Sequence, residues 1–419
     1  MSYEKDKFNR FTEDIKKAIE TLKESSYRKT FLIYHDDADG ITSAAILNES
    51  LKKIGIEARM ICLEKLYPQI AEDIHAKKDI IIFYVDIAAA HAEFLSEINK
   101  GRNLTIILDH HDATPSKDPL IYNLDPELYG FSGEKDVSGA TTTYLFAKSL
   151  DKSITNLAHL AVIGSAEIPG NLSGLNRIPL EDATQLGKIT VSKRGEKELY
   201  SIQLGKKRYS HTDLSKKLTI LGSVGYYRNG PELAIKACLQ GLTPEILNRI
   251  KELEDERKRV NKKLLSKLRV KGLKEVGEIQ YFHAGDEFKG MGVKVIGTFC
   301  SYLSYQNWIN QNKYLVGFMN MQPQIPGYGE IRGNFVKVSV RVPSLLKQKI
   351  ERKEAPPVNE ILVASCRRLT GFADGHTVAA SGIIPKGTEQ KLLEEINKEI
   401  KRKKGINKKG TLDLFFDHK

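Results

Sequence analysis

The sequence predicts an α/β protein: a parallel-sheet domain, a helical connector and a smaller α/β domain. Runs apolar on both faces (Lys29–Tyr34, Asp79–Val85, Asn103–Leu108) alternate with helical spacing, as in a parallel sheet covered on both sides. The 419 residues suit two or three domains of roughly 100–200 residues each. Apolar residues make up 41% and charged residues 28%, so an ordinary core forms without staples.

Residues 5–26 carry Phe8, Phe11, Ile15, Ala18, Ile19 and Leu22 on one helical stripe. The strand Lys29–Tyr34 leads into a helix over Ile41–Ile54, and the strands Asp79–Val85 and Asn103–Leu108 each follow helix-like sequence. Ala140–Leu150 and Asn156–Ile163 read as further helices, and Leu214–Gly225 packs on the same core, closing a first domain over 1–240. Residues 243–275 hold 11 Lys and Arg against 6 acids and few large apolar residues, which fits a connecting helix over 241–275 with most faces exposed. The second α/β unit spans 276–404, with Gln322–Gly333 a loop containing Pro323, Pro326 and several glycines. After the lysine-rich stretch 398–409, a flexible tail occupies 405–419.

Lys plus Arg total 65 against 53 acids, a formal charge of +12. That excess suits an acidic partner such as nucleic acid or, equally, a lysine-rich solvated surface; it says nothing about fold. Cys62, Cys238, Cys300 and Cys366 offer neither a CxxC site nor zinc-knuckle spacing and read as reduced, buried thiols. The charged N-terminus lacks a secretory apolar region, and no apolar run approaches the roughly 18 residues of a membrane span. A soluble, cytoplasmic protein without a membrane partner is expected.

Three of the expected strands run into acids: His35-Asp36-Asp37-Ala38-Asp39-Gly40, then Asp86, then Asp109-His110-His111-Asp112. Ligands of open α/β sheets bind beyond the carboxyl ends of strands, so these residues would gather at one edge. A single Asp after a strand is ordinarily a cap or turn residue, which is the reading for Asp36 and would be for Asp86 alone. Asp37-x-Asp39-Gly is stronger, because two carboxylates in a tight turn repel unless a cation separates them. Paired imidazoles beside Asp109 are uncommon as core filling. Mixed oxygen and imidazole ligands suit manganese or a similar divalent ion. Two such ions about 3.5–4 Å apart stabilise attacking and leaving oxygens in phosphodiester hydrolysis.

Through these residues the chain resembles the DHH phosphoesterase superfamily, in particular its RecJ-like branch. His35–Gly40 is similar to the first motif, Val85-Asp86 to the second and Asp109-His110-His111 to the third. The resemblance implies that Asp37, Asp39, Asp86, Asp109 and His110 or His111 surround one or two Mn2+ ions, with Mg2+ as the alternative. His110 would be the more direct ligand, with His111 acting nearby and Asp109 beside both. The family's fourth motif ends in an Asp, but the matching stretch Ala161–Gly170 offers only Glu167. Glu167 is therefore either a replacement ligand that reaches the metal with its longer side chain or a solvated residue, and the missing Asp weakens the expectation of a second metal. Asn123-Leu124-Asp125-Pro126 and Ser138-Gly139-Ala140-Thr141 resemble connecting segments, with Ser138 capping the next helix.

The second domain resembles the DHHA1 domain. Lys337-x-Ser339-x-Arg341 is similar to its SxR segment, and Asp374-Gly375-His376-x-x-Ala379-Ala380 to its GGHxxAAG segment. Asp374 and Ser381 stand where glycine is usual. Gly292–Leu303 resembles the domain's strand-to-helix passage. Arg341 offers a planar fork for a phosphate, Gly375 a close backbone approach, and His376 a donor. Together with Ser339 they are the expected substrate-binding group.

Lys409-Gly410-Thr411-Leu412-Asp413-Leu414-Phe415-Phe416 resembles the peptide that partners insert into the sliding clamp (PCNA), with Lys409 where Gln is typical. Leu412, Phe415 and Phe416 would fill a hydrophobic pocket.

The resemblance implies a metal-dependent exonuclease acting on single-stranded DNA or RNA in replication or repair. Further partners such as GINS or a fork-remodelling helicase belong to the same implication. A weakly active or inactive Cdc45-like replisome scaffold is the alternative. A phosphodiesterase for short oligonucleotides or cyclic dinucleotides is the third reading.

Overall fold

The computed structural model describes residues 2–27 and 29–416, with side chains described over 5–27 and 29–404. The chain forms two units, Met1–Leu253 with Ile325–Gly329, and Glu254–Gln324 with Glu330–Lys419. Among the described residues no helix is long and apolar enough to cross a membrane.

The first unit is built on five parallel strands: β1 (Lys29–His35), β2 (Ala58–Leu63), β3 (Ile80–Val85), β4 (Leu104–Leu108) and β5 (Ile121–Asn123). Their order is β2-β1-β3-β4-β5. The β-branched and aromatic run IIIFYV of β3 is buried along its whole length, as is LTIIL of β4. That explains why these two strands are continuous apolar runs. β2 is absent from the sequence expectation. It is half-buried at its start and carries Arg59, which interrupts its apolar pattern.

The chain passes from β1 to β2 on one side and then crosses back over β1 to β3 on the other. The sheet therefore has its topological switch point between β1 and β3, where ligands of open α/β sheets collect. Tyr34 pairs with Val85 in the last β1–β3 row, so the next residues, His35 and Asp86, both follow this point.

The helices Ser2–Glu24, Ala38–Lys53 and Gly139–Leu150 agree with expectation to within three residues at their starts and two at their ends. Ala38–Lys53 is buried on nearly every side. Ala158–Gly164 is the helix expected over Asn156–Ile163. Leu214, Leu218 and Leu221 are fully buried, as the packing of Leu214–Gly225 requires. That stretch contains a π-helical turn, Ile220–Val224. A three-stranded antiparallel sheet, β6 (Ile189–Arg194), β7 (Lys197–Leu204) and β8 (Lys207–Ser210), was not anticipated.

The second unit contains β9 (Lys274–Val276), β10 (Ile279–His283), β11 (Tyr314–Asn320), β14 (Phe335–Arg341), β15 (Phe372–His376) and β16 (Ala379–Pro385). The expected loop Gln322–Gly333 carries the two-residue strands β12 (Gln324–Ile325) and β13 (Gly329–Glu330). The six-stranded sheet runs β15-β16-β14-β11-β10-β9, parallel only between β10 and β11. Val336, Val338 and Val340 face a core shared with the helices Ser344–Glu351, Val358–Arg367 and the first turns of Glu389–Phe416. The charged helix Pro244–Lys271 runs through the boundary between the units. Lys409, Leu412, Phe415 and Phe416 lie outside the residues whose side chains are described.

Candidate metal centre

The first motif is a strand-to-helix turn. Asp37 caps the helix Ala38–Lys53, its Oδ1 accepting from the Gly40 amide at 3.2 Å. Gly40 has no room for a side chain, since a Cβ would stand 2.4 Å from the His35 carbonyl oxygen. Asp39 is held by a second helix: its Oδ2 and Oδ1 accept from the amides of Gly139 and Ala140 at 3.0 and 2.7 Å. An anion at the N-terminus of Gly139–Leu150 uses amides that the helix leaves unpaired. Ser138 caps that helix through the Thr141 amide, as expected.

Asp86 follows β3 with φ of +57°, a left-handed backbone that is unusual for a residue other than glycine. Its carboxylate is buried, and no backbone amide or hydroxyl donates to either oxygen. His35 Nδ1 lies 3.0 Å from Asp37 Oδ2 and 3.4 Å from Asp86 Oδ2. His110 Nε2 lies 3.4 Å from Asp39 Oδ2 and 3.5 Å from Asp86 Oδ1. Two sets of facing ligand atoms result, His35–Asp37–Asp86 and Asp86–His110–His111, each within 4.8 Å, and they share Asp86.

The two adjacent histidines separate by their hydrogen bonds. His110 Nδ1 donates to the Gly133 carbonyl at 2.9 Å, which turns its Nε2 toward Asp39 and Asp86. Gly133 is required for this approach, because a Cβ there would stand 1.9 Å from the His110 carbonyl oxygen. His111 Nδ1 donates to Asp109 Oδ1 at 2.7 Å and its side chain is 42% exposed. Asp109 also accepts from the amides of His110 and Ala89.

Electrostatics point to a cation. Burial, with Asp39 and Asp37 beside it, pushes the Asp86 carboxyl up to about 6. Burial opposes ionisation of Asp109 as well, but His111, its hydrogen bond and His110 outweigh it and hold the carboxyl at about 2. Burial opposes a charge on His110, and Asp39 and Asp86 overcome it, raising that imidazole well above its usual range. Like charges about 4 Å apart repel by about 4 kcal/mol at an effective dielectric of about 20. A divalent ion would replace the proton on His110 and satisfy the bare oxygens of Asp86. The oxygen and imidazole donors fit manganese or magnesium better than a thiolate-seeking metal.

The structure sharpens three points of the sequence reading. Asp36 lies in the loop after β1, where Asp37 and not Asp36 is the cap: it is fully buried, and His35 Nε2 lies 3.3 Å from its Oδ1. Its carbonyl packs on the π-helical turn, where a Cβ on Gly222 would stand 1.9 Å from it. Glu167 is the exposed last residue of a 3-10 turn that starts at buried Ser165, and among the described residues it belongs to neither set of facing ligands. Gly164 is the residue of that segment that reaches the centre, with space for a Cβ only 2.6 Å from Asp39 Oδ1. His35 has no role in the sequence reading beyond its place in the motif, and the geometry gives it one. Its signal was a histidine ending a buried strand directly before two acids.

In the second unit, Arg341 is fixed before any ligand arrives. Its Nε donates to Ser301 Oγ at 2.8 Å and its Nη1 to Ser339 Oγ at 3.0 Å. Gly297 makes room for the guanidinium, since a Cβ there would lie 2.9 Å from Nη2. Arg341 pairs with Ala379, and Ala379 with His376, so the expected Arg and His share a row across β14, β16 and β15. His376 is exposed and Ser339 fully buried. Gly375 serves packing: at φ of +141° its Cβ would stand 2.4 Å from the Ala380 Cα.

Residues 29–165 match the DHH family, N-terminal domain. An uncharacterised protein of Methanocaldococcus jannaschii is 24% identical over 204 residues, 46% of this chain and 46% of that protein. The chain thus matches just under half the length of that curated relative. The fold is similar to RecJ of Thermus thermophilus in complex with Mn2+, with TM-score 0.59 and 16% identity, over 93% of this chain and 55% of that one. The Thermus protein is also solved with Mg2+. CDC45 of Entamoeba histolytica superposes with TM-score 0.55 at 9% identity, over 95% of this chain and 98% of that one.

Proposed function

We propose that this chain, a DHH-superfamily member with the RecJ fold, is a metal-dependent phosphodiesterase that removes nucleotides from single-stranded DNA or RNA. One observation carries the reading. Asp86 is buried, no backbone amide or hydroxyl donates to its oxygens, and only the His35 and His110 rings face them, beside Asp37 and Asp39. Such a cluster needs a cation more than it needs a packing partner. Asp37, Asp39, Asp86, His35 and His110 would hold Mn2+ or Mg2+, and Asp109 would act mainly by holding His111.

When bound, the metal supplies Lewis-acid stabilisation of a phosphoryl oxygen and lowers the proton affinity of water. The chain's own part is positional. Amides of Gly139 and Ala140 fix Asp39, and Gly133 fixes the His110 ring. His111, oriented by Asp109 through Nδ1 and with a half-exposed side chain, holds a proton for the departing oxygen. Arg341 and His376 would bind a phosphate of the strand, with Ser339 orienting the guanidinium.

The test is hydrolysis of end-labelled single-stranded DNA and RNA with Mn2+, beside an Asp109→Ala, His110→Ala control. Stepwise shortening by the wild type alone is expected, and the labelled end that persists gives polarity. A wild-type chain that binds Mn2+ but shortens neither polymer favours the scaffold reading. Glu167 supports that second reading, because it stands exposed where the family has a ligand.

A further inference from the structure

Residues 188–208 hold seven Lys and Arg against two acids. They form β6–β8, whose turns Gly195-Glu196 and Gly205-Lys206 each place glycine at φ near +60° (63° and 61°), as tight two-residue hairpins require. Alternation divides the sheet. Ile189, Tyr200, Ile202 and Leu204 are buried on the inner face, and Glu198 is bound there by Arg177 at 2.7 Å and by the Tyr200 hydroxyl at 2.7 Å.

The outward-facing strand residues include no acid, and exposed Glu196 in the first turn is outnumbered by Arg194 and Lys197 on either side of it. At one end Arg194 and Lys197, both exposed, pair directly across the hairpin, a juxtaposition of like charges that costs stability. At the other end lie exposed Lys206 and Arg208. Arg208 is laid flat across the face, donating to Thr190 Oγ1 at 2.9 Å and to the carbonyls of Ser201 and Gly187 at 3.2 and 3.3 Å. It is therefore ordered with neutral acceptors only. Between the two ends Thr190, Ser201 and Ser210 form a hydroxyl row across the three strands, beside Ser192 and the exposed Leu199 it pairs with. The eight residues of β7 set the two charged ends about 25 Å apart.

We propose that the outer face of β6–β8 is an accessory binding surface for the sugar–phosphate backbone of a single nucleic-acid strand. Positive groups at both ends neutralise phosphates, and the hydroxyl row donates to the phosphates between them. The absence of an exposed aromatic ring on this face makes the contact independent of base sequence. The surface lies outside the metal centre, and the choice of a nucleic acid as its ligand rests on the function proposed above.

Binding of a labelled single-stranded oligonucleotide to the full chain, without added metal, tests it across a salt series. The variant Arg194→Gln, Lys197→Gln, Lys206→Gln alters exposed side chains and should fold, which circular dichroism checks. Its affinity should fall about tenfold or more, and the slope of log K against log salt should drop by about 2, at about 0.7 per lost phosphate contact. A control removing three exposed cations elsewhere, Lys349→Gln, Arg352→Gln, Lys391→Gln, should keep the wild-type slope. Equal losses in variant and control would reduce the effect to net charge and overturn the proposal. So would an unchanged slope in the variant, or a wild type that binds no strand. Lost binding in the variant together with a wild type that hydrolyses nothing would keep this surface and sink the exonuclease reading.

Discussion

Gly139 stands against the Asp86 carboxylate: a Cβ on the glycine would lie 2.5 Å from Asp86 Oδ1 and 2.8 Å from its Cβ. The same glycine donates its amide to Asp39 at 3.0 Å. One small residue at a helix start thus lets one acid approach and anchors another. Gly139→Ala should displace Asp86 or Asp39 and lower Mn2+ affinity about 10–100-fold, the size of effect seen when partners behind ligands are lost. Titration calorimetry with Mn2+ reads this, and wild-type affinity in the variant would show that the helix simply shifts.

Asp86→Asn should separate stability from function. Replacing a buried carboxylate flanked by Asp37 and Asp39 relieves repulsion, so the metal-free melting temperature rises by about 2–4 °C per kcal/mol relieved. Added Mn2+ should then fail to stabilise the variant. The wild type should gain about 2.7 kcal/mol at a hundredfold excess over its dissociation constant. Thermal scans with and without Mn2+ measure both, and a lower metal-free melting point in the variant would contradict the repulsion argument.

Glu167 and Asp39 should differ sharply. Glu167→Gln alters an exposed side chain and should leave Mn2+ affinity within about twofold, as surface changes do. Asp39→Asn removes an acid facing His110 and should cost about 100-fold or more. Comparable losses in both would place Glu167 among the ligands.

His75 gives a pH dependence away from the centre. It is fully buried, donating from Nδ1 to Asn99 Oδ1 at 2.9 Å and accepting at Nε2 from the Tyr84 hydroxyl at 3.2 Å. That donor assignment follows because Asn99 Nδ2 is already spent on Asn103 and Asp118. Burial lowers this imidazole from 6.5 to about 4, so the unfolded chain binds its proton first on acidification. Stability from His75 is complete above about pH 6.5 and is lost as pH falls toward 4, by up to about 3 kcal/mol. His75→Gln should be less stable at pH 7 yet show a shallower fall over that range in denaturant titrations. A parallel fall would assign the acid sensitivity to other groups.

Much of the architecture was legible because a strand buried on both faces has to be apolar throughout. β3 and β4 announced themselves that way, and the acids directly after them stood out against it. β2 and β6–β8 lie where one face or one end meets solvent, so their apolar runs are broken or alternate with charge. The alternation and the two Gly-X turns of β6–β8 were readable signals that the helical pattern on either side masked.

By itself, the sequence determined which acids and histidines end the strands of the parallel sheet, because local pattern places each at a strand terminus. It also determined the Ser138 cap, which depends on neighbours three residues away. Only tertiary structure decided that His110 faces Asp39 and Asp86 while His111 turns to Asp109, since the Gly133 carbonyl sets that division from 23 residues away. The same holds for Asp36, buried beneath a turn 187 residues later, and for Gly164, which packs against Asp39 while Glu167 three residues on is exposed. Strand order brings such residues together, and strand order is a property of the packed sheet rather than of any segment within it.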